Sequence, residues 1–224
     1  MFIKEELEFI QTYYFAYLSG IGVTILLSIL GVVFGTLLGL VLSVMRLSES
    51  KVMRLISKAY IEIVRGTPLM VQLLIVFFGL KLVIPENMNF LRNSIILCSV
   101  AIFLNAGAYI AEIIRGGINS VDKGQWEAAR SLGLNKGQTL KKIILPQALK
   151  IILPSLGNEF IALIKETAIV IMVGVPDIIY KATAIKAKTF KAVKPMIYAA
   201  ICYFILTFTL SKVMTAWERR LEND

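Results

Sequence analysis

Four side chains in one apolar run are the first candidates for chemistry: Asn158, Glu159, Lys165 and Glu166. At 100° per residue they fall, together with Ala162, within an arc of about 120°, so a helix carries them as a single polar stripe. Ionisable groups inside a membrane helix face the bundle interior or a wet cavity and mark a pathway. A carboxylate so placed suits a ligand's ammonium or guanidinium group. Lys165 and Glu166 have a second reading, as structural partners of charges on other helices. Glu159, with Asn158 beside it and the small Ala162 one turn on, is then the group left to meet a ligand. A second constellation occurs twice. Glu62-Ile63-Val64-Arg65-Gly66 is echoed by Glu112-Ile113-Ile114-Arg115-Gly116, each with acid and base one helical turn apart. These are either two local ion pairs or a cross-paired gate latch, Glu62 with Arg115 and Arg65 with Glu112.

None of these residues supports covalent catalysis. The chain has no histidine, which removes imidazole acid–base and metal chemistry. No G-x-x-x-x-G-K-[ST] phosphate loop is present; the nearest string, Gly133-Leu134-Asn135-Lys136-Gly137-Gln138, lacks its ending. No nucleophile elbow and no metal-ligand cluster appears. The reading is therefore a chain without catalytic or metal sites, whose energy comes from another chain or from an ion gradient. Cys98 and Cys202 both fall in apolar runs and read as small packing residues.

The elements that position these residues follow from composition. At 57% hydrophobic and 17% charged, 224 residues are too apolar for an ordinary soluble domain. Residues 9–45, 66–80, 93–111 and 195–211 carry no charge, and about 20 mostly apolar residues cross a bilayer as a helix. The class is an all-α integral membrane protein, with five transmembrane helices over about 18–45, 55–84, 93–114, 151–175 and 195–214 in a single transmembrane domain, residues 1–224. No cleavable signal is expected, because Glu5, Glu6 and Glu8 follow Lys4 and the first apolar run is too long. Gly31, Gly35, Gly39 and Ser43 form a smooth stripe on the first span, for packing within the chain or between subunits. Pro68 should kink the second span or break its first turns. Gly174 and Pro176 should end the fourth, before a lysine-rich loop.

Five spans place the termini on opposite sides. With the N-terminus outside, the inner segments hold fifteen Lys and Arg against eight outside, so the positive-inside rule puts the C-terminus in the cytoplasm. The lysine-rich loop after the fourth span dissents from that count. The net charge of +9 is thus read through topology, and a nucleic-acid partner is excluded by membrane character.

Residues 121–150 differ from everything around them, being polar, basic and divided by a glycine. Asp122 before Gln125, and Asn135 before Gln138, each place a cap residue three positions before a side chain that reaches back. Leu140, Ile143 and Ile144 share one face while Lys136, Lys141 and Lys142 point elsewhere. By topology this insert between spans three and four is cytoplasmic: a connector, an interfacial helix pair, or a handle for a soluble partner.

One pattern in this insert carries a resemblance. Glu127-Ala128-Ala129, three residues, Gly133, nine residues, then Ile143-x-Leu145-Pro146 resembles the EAA motif of inner-membrane permeases of binding-protein-dependent ABC importers, with every defining position in place. Arg65-Gly66-Thr67-Pro68-Leu69-Met70-Val71-Gln72, the run from Ala111 to Ile118, and Leu156-Gly157-Asn158-Glu159-Phe160-Ile161 look like the polar amino-acid subfamily of the histidine/glutamine/arginine type. The likeness extends over about residues 20–221. It departs at Lys165-Glu166-Thr167-Ala168, where that family often has a second hydroxyl residue. The resemblance implies a type I ABC importer permease fold in the cell inner membrane, and a homodimer or heterodimer of permease subunits. Two separate ATPase subunits would bind ATP and magnesium, and an extracytoplasmic binding protein would deliver an amino acid. Glu127, Ala128, Ala129, Gly133, Leu145 and Pro146 would form the coupling element. Alternatives are an importer for another solute such as methionine or an opine, and a self-contained ion-coupled carrier or channel.

Overall fold

Long uncharged runs without helix breakers can satisfy their backbone polar groups inside a bilayer only as helices, and the computed structural model, which describes residues 2–223, is helical throughout its regular elements. In chain order these are α1 (Phe2–Leu47), α2 (Lys51–Arg65), α3 (Leu69–Val83), α4 (Ser94–Asn119), α5 (Lys123–Ser131), α6 (Lys136–Thr139), a π turn (Leu140–Ile144), α7 (Leu145–Glu166), a 3-10 segment (Thr167–Val173), α8 (Ile178–Thr189) and α9 (Lys194–Asn223).

α4 is the central post. Its small residues Ala101, Ala106, Gly107, Ala108 and Ala111 let neighbours approach from several sides, and Leu97, Cys98, Ile102 and Ile110 are buried among them. α1 runs parallel to it. Ideal Cβ atoms added to Gly31, Gly35 and Gly39 would lie 2.7 Å from Ile102, 2.8 Å from Ala106 and 2.7 Å from Ile110. Ser43 closes the row by donating to the Ala111 carbonyl at 3.3 Å. The smooth stripe therefore seats α1 on α4 within this chain.

Three long helices have the length and composition of membrane spans, and the number reaches five only if each of two bent helix pairs is taken as one span. The first correction is to the continuity of the expected second span over 55–84, at the proline expected to kink or break it. α2 and α3 meet at 108° across Thr67-Pro68, and α3 is about 22 Å long, short of the ~30 Å hydrocarbon core. α2 has the pattern of an interfacial helix: Lys51, Arg54, Lys58, Glu62 and Arg65 recur along one edge, and the exposed Val52, Ile56 and Ile63 along another. The second correction concerns the expected fourth span over 151–175. α7 already begins at Leu145, within the insert, and passes into the 3-10 segment, which ends at Gly174 in the left-handed region (φ 76°). The lysine-rich loop is mostly helix, α8, capped by the buried Asp177, which accepts from the Tyr180 amide at 2.8 Å.

α1 starts at Phe2 rather than near residue 18, because no breaker interrupts it and its early acids find partners. Lys191 donates to Glu5, while Lys194 and Tyr198 reach Glu6 at 2.8 and 2.7 Å. The bond to Glu5 raises the Lys191 ammonium above its ordinary pKa. α4 extends five residues past the expected end, and α9 past residue 214.

Candidate functional site

The polar stripe lies on α7. That helix buries Ala148, Ile152, Leu163 and Ile164. Asn158, Lys165 and Glu166 are exposed and Glu159 is half-buried. None of these four forms an ion pair with another helix among the described residues, so the structural-partner reading of Lys165 and Glu166 finds no support within this chain. α9 packs beside them, where an ideal Cβ at Gly157 would overlap the Met214 sulfur. The arc is therefore largely exposed, with Glu159 its most covered polar member.

The repeated Glu–Arg pairs are used unequally. Glu112 holds Arg115 through two guanidinium nitrogens at 2.7–3.1 Å. It also lies 3.6 Å from Arg65 of α2 and 3.6 Å from Arg46 of α1. Arg65 sits over the Tyr109 ring, 5.3 Å from its centre. Of the two expected cross-pairs, Arg65 with Glu112 is formed; Glu62 instead faces Lys58 one turn away at 3.6 Å, because α2 presents Glu62 along its own basic edge. Arg46, which sequence reasoning did not single out, completes a node joining three helices.

A polar network missed by sequence reasoning supports the break between α2 and α3. Pro68 has no N–H, so carbonyls at the end of α2 lose their helical partners. The Gln72 amide donates to the Val64 carbonyl at 2.6 Å, the Thr67 carbonyl at 3.0 Å and the Thr67 hydroxyl at 2.8 Å. Asn105 of α4 donates to the Gln72 carbonyl oxygen at 2.9 Å and so fixes its orientation. An amide in each of two apolar runs was the available signal.

The insert is a capped helix pair. Asp122 caps α5 by accepting from the Gly124 amide at 2.7 Å, without the expected return bond from Gln125, whose side chain instead accepts from Gln147 of α7 at 3.4 Å. At Asn135 and Gln138 the full capping box forms, with both bonds at 2.9 Å. α5 ends in a Schellman arrangement: Gly133 N–H donates to Arg130 and Leu134 N–H to the Ala129 carbonyl. Gly133 has φ 83°, the left-handed conformation that favours glycine. Ala129 is buried and Trp126 packs on the core, whereas Glu127, Ala128 and Leu132 face solvent, Leu132 at 84% exposure. No ion pair of Glu127 occurs among the described residues. Pro146 cannot close the usual i→i−4 bond, and the Leu145 N–H reaches back to Leu140 instead, producing the π turn. Leu145 is half-buried and Pro146 exposed, and together they start α7. The insert is thus continuous with the helix that carries the polar stripe.

Among the described residues no group of three His, Cys, Asp or Glu is placed to hold a metal ion. A helical membrane chain with a one-sided polar arc, a proline-broken span and a protruding capped helix pair has the make-up of a transport permease subunit. The chain belongs to the family described as binding-protein-dependent transport system inner membrane component, which matches residues 31–223. It is 39% identical over 207 residues to the putative glutamine transport system permease protein GlnP of Rickettsia conorii, covering 92% of this chain and 93% of that one. It is equally 39% identical to the arginine transport system permease protein ArtQ of Bacillus subtilis, over 92% and 93%. A crystal structure of an amino acid ABC transporter with histidines superimposes with TM-score 0.87 at 42% identity, over 94% of this chain and 96% of that chain. The MetNI methionine ABC transporter, at 18% identity and TM-score 0.78, shares the fold.

Proposed function

We propose that this chain is a permease subunit of an ATP-driven amino-acid importer of the cell inner membrane, with its N-terminus outside and its C-terminus in the cytoplasm. Two such subunits, identical or homologous, would set their α7 arcs face to face. Asn158 and Glu159 would then meet the cargo, with Lys165 and Glu166 further along the same wall. An extracytoplasmic binding protein would deliver the amino acid. Two ATPase subunits, binding ATP and magnesium, would grip the α5–α6 pair, with Gly133 setting its turn and Leu145 and Pro146 joining it to α7. Relatives named for glutamine and for arginine stand at the same identity, so identity does not choose the cargo.

The observation that carries this reading is the outward face of α5. Glu127, Ala128 and Leu132 leave the bundle unpartnered while Ala129 and Trp126 fasten the helix to it. An 84%-exposed leucine beside a rigid turn suits a groove on a soluble partner. The test is Gly133→Asp in the transporter assembled with its ATPase and binding protein in liposomes. An ideal Cβ at Gly133 meets nothing within 4 Å, so the change adds backbone strain of about 1–2 kcal/mol without a clash. Expected are normal insertion and folding, with ATP hydrolysis uncoupled from uptake. Normal uptake by the variant, or uptake by this chain alone without an ATPase, overturns the proposal; the latter result is the one an ion-coupled carrier would give.

A further inference from the structure

Three guanidinium groups surround a single carboxylate where α1 ends, α2 lies across the bundle and α4 leads into the insert. Only Arg115 engages Glu112 through two nitrogens. Arg46 and Arg65 each touch it at 3.6 Å, longer than a good charge-assisted hydrogen bond of about 2.7–2.9 Å. Neither makes another side-chain hydrogen bond among the described residues. A guanidinium carries five N–H donors in a fixed fork, so most donors on these two arginines have no protein acceptor. Glu62 does not supply one, since its charge is matched by Lys58 at 3.6 Å. The node is left with positive charge in excess.

Arg46, Glu62, Arg65, Tyr109 and Glu112 line a cavity of about 380 Å³. Its wall is α2, whose charged edge runs through Lys51, Arg54 and Lys58 to Arg65. On a separate face, about 140° round the helix, α2 exposes Val52 (65%), Ile56 (54%) and Ile63 (65%). A cationic edge and a separate apolar face on a helix bent away from the next span suit the boundary between lipid headgroups and acyl chains, with the apolar face in the acyl region and the cavity at headgroup level. We infer that this cavity binds the phosphate group of an anionic membrane phospholipid, with Arg46 and Arg65 donating to its oxygens. A cargo carboxylate would meet the same two guanidiniums, but it gives no use to the apolar face that holds α2 in the interface.

The test measures lipid retained by the purified full chain after equilibration in detergent with equal amounts of phosphatidylglycerol and phosphatidylcholine, read by native mass spectrometry. Wild type should retain phosphatidylglycerol in preference. Arg46→Gln and Arg65→Gln should each lower that retention about fivefold. Lys141→Gln/Lys142→Gln, on the distant insert, should leave it unchanged. Glu112→Gln removes the competing carboxylate and should raise retention, whereas a purely structural clamp would lose stability with no gain. If that variant does not fold, Arg65→Lys replaces it and should keep the preference for the anionic lipid. Equal retention of both lipids, an equal loss in the Lys141/Lys142 variant, or displacement of the lipid by millimolar inorganic phosphate or free amino acid overturns the inference. The last of these outcomes would make the cavity a site for a free anion.

Discussion

Gln72 shows how one side chain makes a proline-broken helix tolerable. Its amide takes up acceptors freed around Thr67-Pro68, and Asn105 orients it. Replacing it by leucine keeps much of the volume but returns two carbonyls to an unsatisfied state, a loss of about 1–3 kcal/mol. Gln72→Glu should be worse, since an ionised carboxylate has no donor and would face the Val64 and Thr67 oxygens. Thermal unfolding in detergent should therefore rank wild type above Gln72→Leu and Gln72→Glu last. A leucine variant as stable as wild type would show that water, not Gln72, satisfies these carbonyls.

At the scale of elements, the contact between α1 and α4 is set by absent atoms. Gly35→Ala would place a Cβ 2.8 Å from the Ala106 Cβ, closer than side chains pack, and should cost about 1–3 kcal/mol through overpacking. Ala106→Gly removes the atom it meets. The pair Gly35→Ala/Ala106→Gly should thus be more stable than the sum of the single changes, by a coupling of at least about 0.5 kcal/mol. Additive losses would mean that the two helices slide apart freely there. Gln125 bonds Gln147, and the π turn feeds α7 without a loop, so the insert and Glu159 are joined by one helix segment about 21 Å long, with Pro154 inside it.

For the molecule as a whole, the proposed pathway takes the arc on α7 as one of its walls. Among the described residues Glu159 forms no ion pair, and in the proposed dimer a second permease subunit would supply the facing wall. If Glu159 meets a cationic cargo side chain, Glu159→Gln in the assembled transporter should weaken arginine or lysine uptake about tenfold, a charge-assisted contact being worth roughly 1.5–3 kcal/mol. Glutamine uptake should change far less. Equal loss for all cargoes, measured by competitive uptake into liposomes, would assign Glu159 to gating or structure instead.

The insert, its capping box at Asn135, the turn at Gly133 and the existence of apolar helices were legible from local chemistry, because caps, positive-φ turns and membrane solvation depend on residues near one another in the chain. Gly174 ended the fourth apolar segment as its type and following proline foretold. Helix bounds were less legible. Pro68 announced a defect, but not its 108° angle or the Asn105 of α4 that meets Gln72 beside it. The early start of α1 depends on Lys191 and Lys194 arriving from the far end of the chain. The Glu–Arg echo left local pairs and a cross-paired latch both open; Glu62 keeps to Lys58 one turn away in its own helix, whereas the meeting of Arg46 and Arg65 with Glu112 depends on how α1, α2 and α4 cross. Sequence by itself determined a helical membrane protein, its family and the polar groups available to it. Tertiary structure decided which of those groups meet, because pairing across helices depends on the crossing of whole elements, and that crossing is set by packing among small residues scattered along the chain.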